Sequence, residues 1–385
     1  MIYLDNNATT RPLDEVVGVV ARVSREQYVN PSSTAGDVIG AIRPRYEAAT
    51  AMARLLNAEG ADRLVFTSGA TESNNWVLGP IARSCAARTI IVSAIEHASV
   101  AEPARLLEKE GFCVRVAPVD SQGVIRLDAL AHLLSDDVAI VSVMAANNET
   151  GALQPIDGVG RVVRSCAPAA LFHTDATQAV GKMLVDLQGE FREVDLLSFS
   201  AHKFHGPRGI GGLYVRTGVA IPAMLHGGGQ EASLRAGTIN TPGLAGLAAA
   251  AHLVDTANFN VVRGLRDRFE LALREVFASV IVHSAQTLRL PNTSCFSVPG
   301  VIASDVVEAL ARQNIVVGNG SACSAGAMHP PKTLLAMAVP YDLATSALRV
   351  SLAPSTNWWE LHTFIGALAD VLCMTIQERN ALSTS

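Results

Sequence analysis

A chain of 385 residues exceeds the ~250–300 residues at which a single hydrophobic core stops growing, so about two domains with ample core are expected. A composition of 49% apolar and 17% charged residues fits a compact enzyme, and a formal net charge of -5 leaves no basic face for nucleic acid or anionic lipid. The apolar stretch Gly243 to Leu253 is alanine-rich, broken by His252 and well short of the ~18 residues of a membrane span, and no basic apolar leader opens the chain; a cytoplasmic protein with no membrane segment is expected.

Taken in order, Ile2 to Leu4 reads as a short strand, Asp5 to Thr10 as a turn, and Pro12 as the first residue of a helix, where its missing N–H costs nothing. Asn30-Pro31-Ser32-Ser33 is a turn by composition. Leu64 to Phe66 reads as a strand, Thr67 to Thr71 as a turn of small residues, and Glu72 onward as a helix. Such a junction offers unpaired backbone N–H groups and the positive end of a helix dipole, so a phosphate is expected there; Thr71 could equally be a helix cap that needs no ligand. Ile90 to Ser93 is another strand, and the His97 that follows suits either a core position or a cofactor contact. Ala101 to Lys109 and Leu127 to Leu134 carry helical periodicity, Val138 to Met144 is a β-rich run, and Asn147 to Gly151 turns. Strands alternating with helices predict a mostly parallel sheet, whose ligands bind outside the carboxyl ends of the strands.

Two later strand ends carry chemistry. Leu171-Phe172-His173-Thr174 leads to Asp175, and Val194 to Leu197 leads through Ser198-Phe199-Ser200-Ala201-His202 to Lys203, just before a Gly-Pro break. The chain has four lysines against twenty-six arginines, which argues against Lys203 as solvent decoration. A lysine beside an apolar strand loses its charge by desolvation and attacks carbonyls as an amine. With a strand-end aspartate it forms the pair that pyridoxal phosphate needs: the lysine holds the aldehyde and the carboxylate keeps the pyridine nitrogen protonated. A surface lysine and an aspartate N-cap are the bland alternatives.

The glycine-rich run Gly227-Gly228-Gly229-Gln230, ending in Leu234-Arg235-Ala236-Gly237-Thr238, lacks the GxGxxG spacing of a dinucleotide loop. A helix from Pro242 then leads into a second domain with helix Val262 to Phe277, strand Leu290 to Ser297 and helix Ser304 to Gln313. The six cysteines are scattered without paired spacing, which predicts reduced thiols and no metal site. Cys113 and Cys373 lie in apolar-periodic stretches and read as inert buried thiols, and Cys295 lies in a strand-like run. Cys323, among glycines and small residues from Val317 to Gly326, reads as a thiol on a mobile loop.

The stretches DNNATTRP, NPSS, VFTSGATES, EHASV, ANNETG, HTDATQAVGK, SFSAHKFHGPRGIG, RAGT, PNTSCFS, NGSACSAG and LRVSLA, in this order from Met1 to about residue 355, resemble the pyridoxal phosphate (PLP)-dependent cysteine desulfurases of the NifS/IscS class, within the class V aminotransferases. The resemblance implies an α/β chain of the fold type I transferases. Residues 12–255 would form a large domain with a mostly parallel sheet flanked by helices. Residues 1–11 and 256–385 would form a smaller α+β domain carrying the cysteine loop. Ala70 and Thr71 match phosphate-cup positions, completed by Ser200 and His202. His97 matches the residue that stacks on the pyridine and shuttles protons. Gln178 and Asn148 match contacts to the ring hydroxyl, Asn148 also lying near the substrate carboxylate, and Thr238 matches a contact to the neighbouring subunit's phosphate, which implies a homodimer. The NPSS loop departs from the family, with Ala35 and Val38 where a histidine and a glycine are usual.

The implied activity removes sulfur from L-cysteine, leaving L-alanine and a persulfide on Cys323 for a sulfur-acceptor or iron–sulfur scaffold protein. Lys203 would move the α-proton and Arg349 would hold the α-carboxylate by a bidentate pair, unless it is a structural strand-end arginine. Selenocysteine lysis, transamination or epimerisation on the same scaffold, and a persulfide carrier without turnover, are the alternatives. DNNATTR and ANNETG lean toward the nitrogen-fixation branch.

Overall fold

The structure, a computed structural model, describes residues 1–59, 64–319 and 330–383. Its strands are β1 (Ile2–Tyr3), β2 (Leu64–Thr67), β3 (Thr89–Ser93), β4 (Cys113–Ala117), β5 (Val138–Ser142), β6 (Leu171–Asp175), β7 (Leu196–Ser200), β8 (Gly211–Val215), β9 (Ile281–Val282), β10 (Thr293–Ser297), β11 (Ile315–Val316) and β12 (Ala347–Ser351).

Seven of them form the central sheet in the order β2-β8-β7-β6-β5-β3-β4. The pairings β3–β4, β3–β5, β5–β6 and β6–β7 are parallel, while β8 runs antiparallel to both β7 and β2. The mostly parallel sheet expected from the alternation of elements is therefore present. Successive residues of each strand face opposite sides, and in every strand but the edge strand β4 both sides are buried: Phe66, Ile91, Val141, Phe172 and Leu197 join one core, and Val65, Ile90, Ile140, Leu196 and Leu213 join the other. Burial on both faces requires the near-continuous apolar runs seen in the sequence.

A three-stranded antiparallel sheet, β12-β10-β9, packs with helices Ala257–Val276, Ala303–Arg312 and Trp358–Ser383 around a further core that includes Phe269, Phe296 and Phe364. The chain's start belongs to this core: β1 pairs in parallel with β11, and Leu4 is fully buried there. No described helix is long and apolar enough to cross a membrane.

Two local readings need correction. The first helix runs Asp14–Glu26 and starts after Pro12, because Leu13 is still extended (φ -66°, ψ 149°) and Asp14 and Glu15 supply the acidic first turn. Strand β8 was not expected; Gly211 and Gly212 mask its β character, yet the close approach of neighbouring backbone demands glycine there. A Cβ on Gly211 would lie 2.4 Å from the Phe199 carbonyl oxygen and 2.7 Å from Gly69 Cα.

Candidate active site

The ends of the parallel strands β3, β5, β6 and β7 bring the chemistry-bearing residues together. Asp175 closes β6 and sits opposite Ser198 of β7, five residues before Lys203. It is 5% exposed, and its two oxygens are held by different donors: Oδ2 accepts from Asn74 Nδ2 at 2.8 Å and Oδ1 from the Thr177 N–H at 2.9 Å. Asn74 also donates to Ser99 Oγ at 2.9 Å, and Ser99 Oγ lies 2.8 Å from His97 Nδ1. Because Nδ1 also accepts from the Ser99 N–H at 3.1 Å, a neutral His97 carries its proton on Nε2. A continuous chain, His97-Ser99-Asn74-Asp175, thus orients both the imidazole and the carboxylate.

Asn74 belongs to helix Ala70–Trp76, at whose start the anion cup is expected. Gly69 precedes it at φ 156°, ψ 175°, a backbone state open almost only to glycine, and a Cβ there would meet Ser200 Oγ at 3.3 Å. Ser200 Oγ accepts from the Ala70 N–H at 2.8 Å, which joins the two halves of the cup across the sheet. Thr71 is exposed in the first turn. His202 Nδ1 lies 3.1 Å from Thr9 Oγ1; burial first, then the cations Lys203, Lys182 and Arg208, push its pKa down to about 4, so the ring is neutral at pH 7.

Lys203 ends the short turn after β7 and donates to the Asn7 and Ala8 carbonyls at 2.6 and 3.0 Å. Gln178 Nε2 donates to the same Asn7 carbonyl at 2.9 Å, and its Oε1 receives Lys182 Nζ at 2.5 Å. Arg349, on β12 and 1% exposed, donates through NH2 to Asp5 Oδ1 at 2.6 Å and through NH1 to the Asn148 carbonyl at 3.0 Å. Among the described residues its buried Nε has no hydrogen-bond partner, which leaves a donor for an incoming carboxylate. Asn148 meets this group through its backbone.

These residues fit pyridoxal phosphate by the chemistry of the donor set: a buried, oriented carboxylate, a lysine amine one strand away, and a glycine-lined helix start that a Cβ would fill. Buried Asn74 Oδ1 and Thr177 Oγ1, both without partners among the described residues, sit on the residues that flank Asp175. Asp175 would hold the pyridine nitrogen, Ala70, Thr71 and Ser200 the phosphate, and Lys203 the aldehyde carbon.

Not every expected residue joins the cluster. Thr238 is exposed on the loop after Gly227. That loop holds Glu231, Ala232 and Ser233 at φ 48°, 55° and 63°, a strain of about 1–2 kcal/mol per residue. Buried Glu231 offsets it by accepting from Arg45 (3.2 Å) and the Phe66 N–H (3.1 Å). Cys323 lies outside the described residues. Cys113 and Cys373, expected to be buried, are both exposed: Cys113 sits on the edge strand β4 and Cys373 on the outer side of the last helix. Cys295 is buried, and burial raises its thiol to about 12.

Sequence reasoning missed Asn7, Asn74, Lys182 and two half-buried glutamates, Glu96 and Glu149, each with one carboxyl oxygen fully enclosed. Burial pushes Glu96 up to about 8, and it pushes Glu149 up to about 7 against the Thr333 hydroxyl and the charges of Arg349 and His97. Lys182 had a usable signal, being one of only four lysines and following Gln178 at helical spacing.

The Aminotransferase class-V family model matches residues 2–364. A cysteine desulfurase of Cereibacter sphaeroides is 40% identical over 384 residues, covering 99% of this chain and 97% of the relative. The cysteine desulfurase NifS of Azotobacter vinelandii is 37% identical over 371 residues, covering 94% and 90%. Among solved structures, a NifS-like protein superposes with a TM-score of 0.89 at 37% identity, covering 97% of this chain and 99% of that one. SspA in complex with cysteine gives 0.81 at 29% identity, covering 93% and 100%. With nearly its whole length matched by the family model and by these relatives, the chain belongs to the PLP-dependent aminotransferase class-V family, in its cysteine desulfurase branch.

Proposed function

We propose that this protein is a cysteine desulfurase that converts L-cysteine to L-alanine and leaves the sulfur as a persulfide on Cys323. The observation that supports it most is the pairing of Lys203 and Arg349 around one residue: Asn7 takes Lys203 on its carbonyl and reaches the Arg349 guanidinium through the Asn148 carbonyl. An α-amino acid needs such a pair, one group for its amino end and one for its carboxylate. When bound, pyridoxal phosphate supplies the electron sink for the substrate's α-carbon.

In this reading Arg349 holds the carboxylate, its Nε completing a second N–H···O bond. Lys203 carries the proton to and from the α-carbon. Asp175 keeps a positive charge at the pyridine nitrogen, and His97, fixed through Ser99, moves protons from its Nε2 side. The Cys323 thiolate attacks the substrate sulfur, so an S–S bond forms as the Cβ–S bond breaks, and a proton at Cβ completes alanine. We also read the protein as a cytoplasmic homodimer in which Thr238 serves the other subunit's phosphate, and which passes sulfur to an acceptor or iron–sulfur scaffold protein. We further divide the chain into residues 12–255 against 1–11 with 256–385, a division that the pairing of β1 with β11 supports.

The test is release of sulfide and alanine from L-cysteine with a thiol reductant present, with L-selenocysteine assayed alongside. Equimolar sulfide and alanine are expected. Turnover of selenocysteine alone, or pyruvate or a racemised amino acid in place of alanine, would overturn the reading.

A further inference from the structure

Asn7 stands at a crossing of hydrogen bonds that the roles above leave unexplained. Its carbonyl accepts from Lys203 Nζ and Gln178 Nε2, and its Oδ1 accepts from Lys182 Nζ at 3.2 Å and Asn292 Nδ2 at 3.1 Å. Its Nδ2 donates to Thr293 Oγ1 at 2.9 Å and to the Asn148 carbonyl at 3.2 Å, and its N–H donates to Ser351 Oγ at 2.9 Å. Residues from five segments of the chain are thereby locked to the backbone and side chain of one residue that is 1% exposed.

Lys182 is the second lysine of this crossing, beside Lys203. It is 8% exposed, and the two acceptors of its ammonium, Asn7 Oδ1 and Gln178 Oε1, are neutral amide oxygens. The charges acting on it are both positive, Lys203 from the turn after β7 and Arg349 from β12, the latter paired with Asp5. His202 and His205, on the Lys203 turn, feel its charge in turn. Burial, then Lys203 and Arg349, hold the Lys182 ammonium well below the usual lysine range. A buried cation among cations costs several kcal/mol, and a methionine of similar length would fill the space without that cost. A stability role alone does not account for a lysine here.

We propose that Lys182 is a positioning residue, acting through Asn7 and Gln178 to hold Lys203 and Arg349 in one fixed relation. This rests on the reading of Lys203 as the cofactor lysine and Arg349 as the carboxylate group. Substrate then meets its amine and carboxylate partners already spaced.

The experiment measures equilibrium binding of L-alanine to the cofactor-loaded protein by its visible absorption, in wild type, Lys182→Met and Lys182→Gln. Alanine is expected to bind roughly tenfold more weakly to Lys182→Met, and Lys182→Gln, which keeps an N–H donor, is expected to recover most of that loss. Binding to Lys182→Met within about twofold of wild type, or a loss in Lys182→Gln equal to that in Lys182→Met, overturns the proposal, whatever happens to turnover. If Lys182→Met does not fold, Lys182→Ala is measured against the same criteria. Lys203→Ala is the separate control: a visible absorption unchanged in that variant would sink the underlying reading of Lys203, not the proposal about Lys182.

Discussion

Asn74 Nδ2 and Asp175 Oδ2 lie 2.8 Å apart in the buried interior, tying the helix that begins at the anion cup to the end of strand β6. The same amide reaches Ser99, so one side chain aligns the carboxylate and, through the serine, His97. A carboxylate so fixed can face a ring nitrogen without being drawn aside by solvent.

Asp175→Asn should therefore keep the cofactor's visible absorption but lower kcat by about 100-fold or more, since a neutral amide cannot sustain the charge at the pyridine nitrogen. Asn74→Ala should lower kcat less, by about tenfold, through loss of orientation alone. Steady-state rates with L-cysteine check both; an Asn74→Ala variant as impaired as Asp175→Asn would make Asn74 more than an orienting group.

Cys323→Ala should retain the visible absorption and bind cysteine, yet form no persulfide and release no sulfide. Each of the other five cysteines should tolerate alanine, including the exposed Cys113 and Cys373. Mass spectrometry after a single turnover reads the result as a gain of one sulfur atom on wild type, absent in the variant. Desulfuration at the parent rate would remove Cys323 from its role.

Glu96 shapes stability against pH. Its folded pKa is raised to about 8 by burial, while in the unfolded chain it ionises near the ordinary value of ~4.3. The folded state thus binds the extra proton between these values, and the stability this provides is lost as pH rises toward 8. Buried His173, lowered to about 4, works in the opposite direction, losing stability as pH falls from ~6.5 toward 4. Glu96→Gln keeps an acceptor for Ser93 and the Met144 N–H but cannot ionise. Urea midpoints at pH 5.5 and 8 should fall more steeply for wild type than for the variant, by on the order of 1–2 kcal/mol in unfolding free energy. Parallel pH profiles would show that Glu96 is not protonated in the folded protein.

Gly211→Ala should cost about 2–3 kcal/mol, because its Cβ has nowhere to go between the Phe199 carbonyl and Gly69. Cofactor retention should weaken with it, as Gly69 forms the cup. Gly209→Ala is the control: its φ of 77° adds strain of about 1 kcal/mol, but nothing lies within 4 Å. Thermal denaturation of the two variants, with and without added pyridoxal phosphate, separates the steric effect from the backbone effect.

What the sequence determined by itself is local or ordered along the chain: apolar runs ending in small and polar residues at Asp175 and Ser200, the strand–turn–helix at Thr67 to Glu72, and a succession of short motifs that marks the family. These are legible because strand burial and turn chemistry depend on neighbours a few residues apart. Tertiary structure alone decided which polar groups meet. Arg349 finds Asp5 across 344 residues of sequence, Asn7 finds Gln178 across 171, and Asn74 finds Asp175 across 101. It also decided that β8 reverses direction and that Cys113 lies on an uncovered edge. Such pairings have no periodicity to read: a buried amide or guanidinium takes whichever partner the packing of distant elements delivers, because leaving it unsatisfied costs more than any local preference.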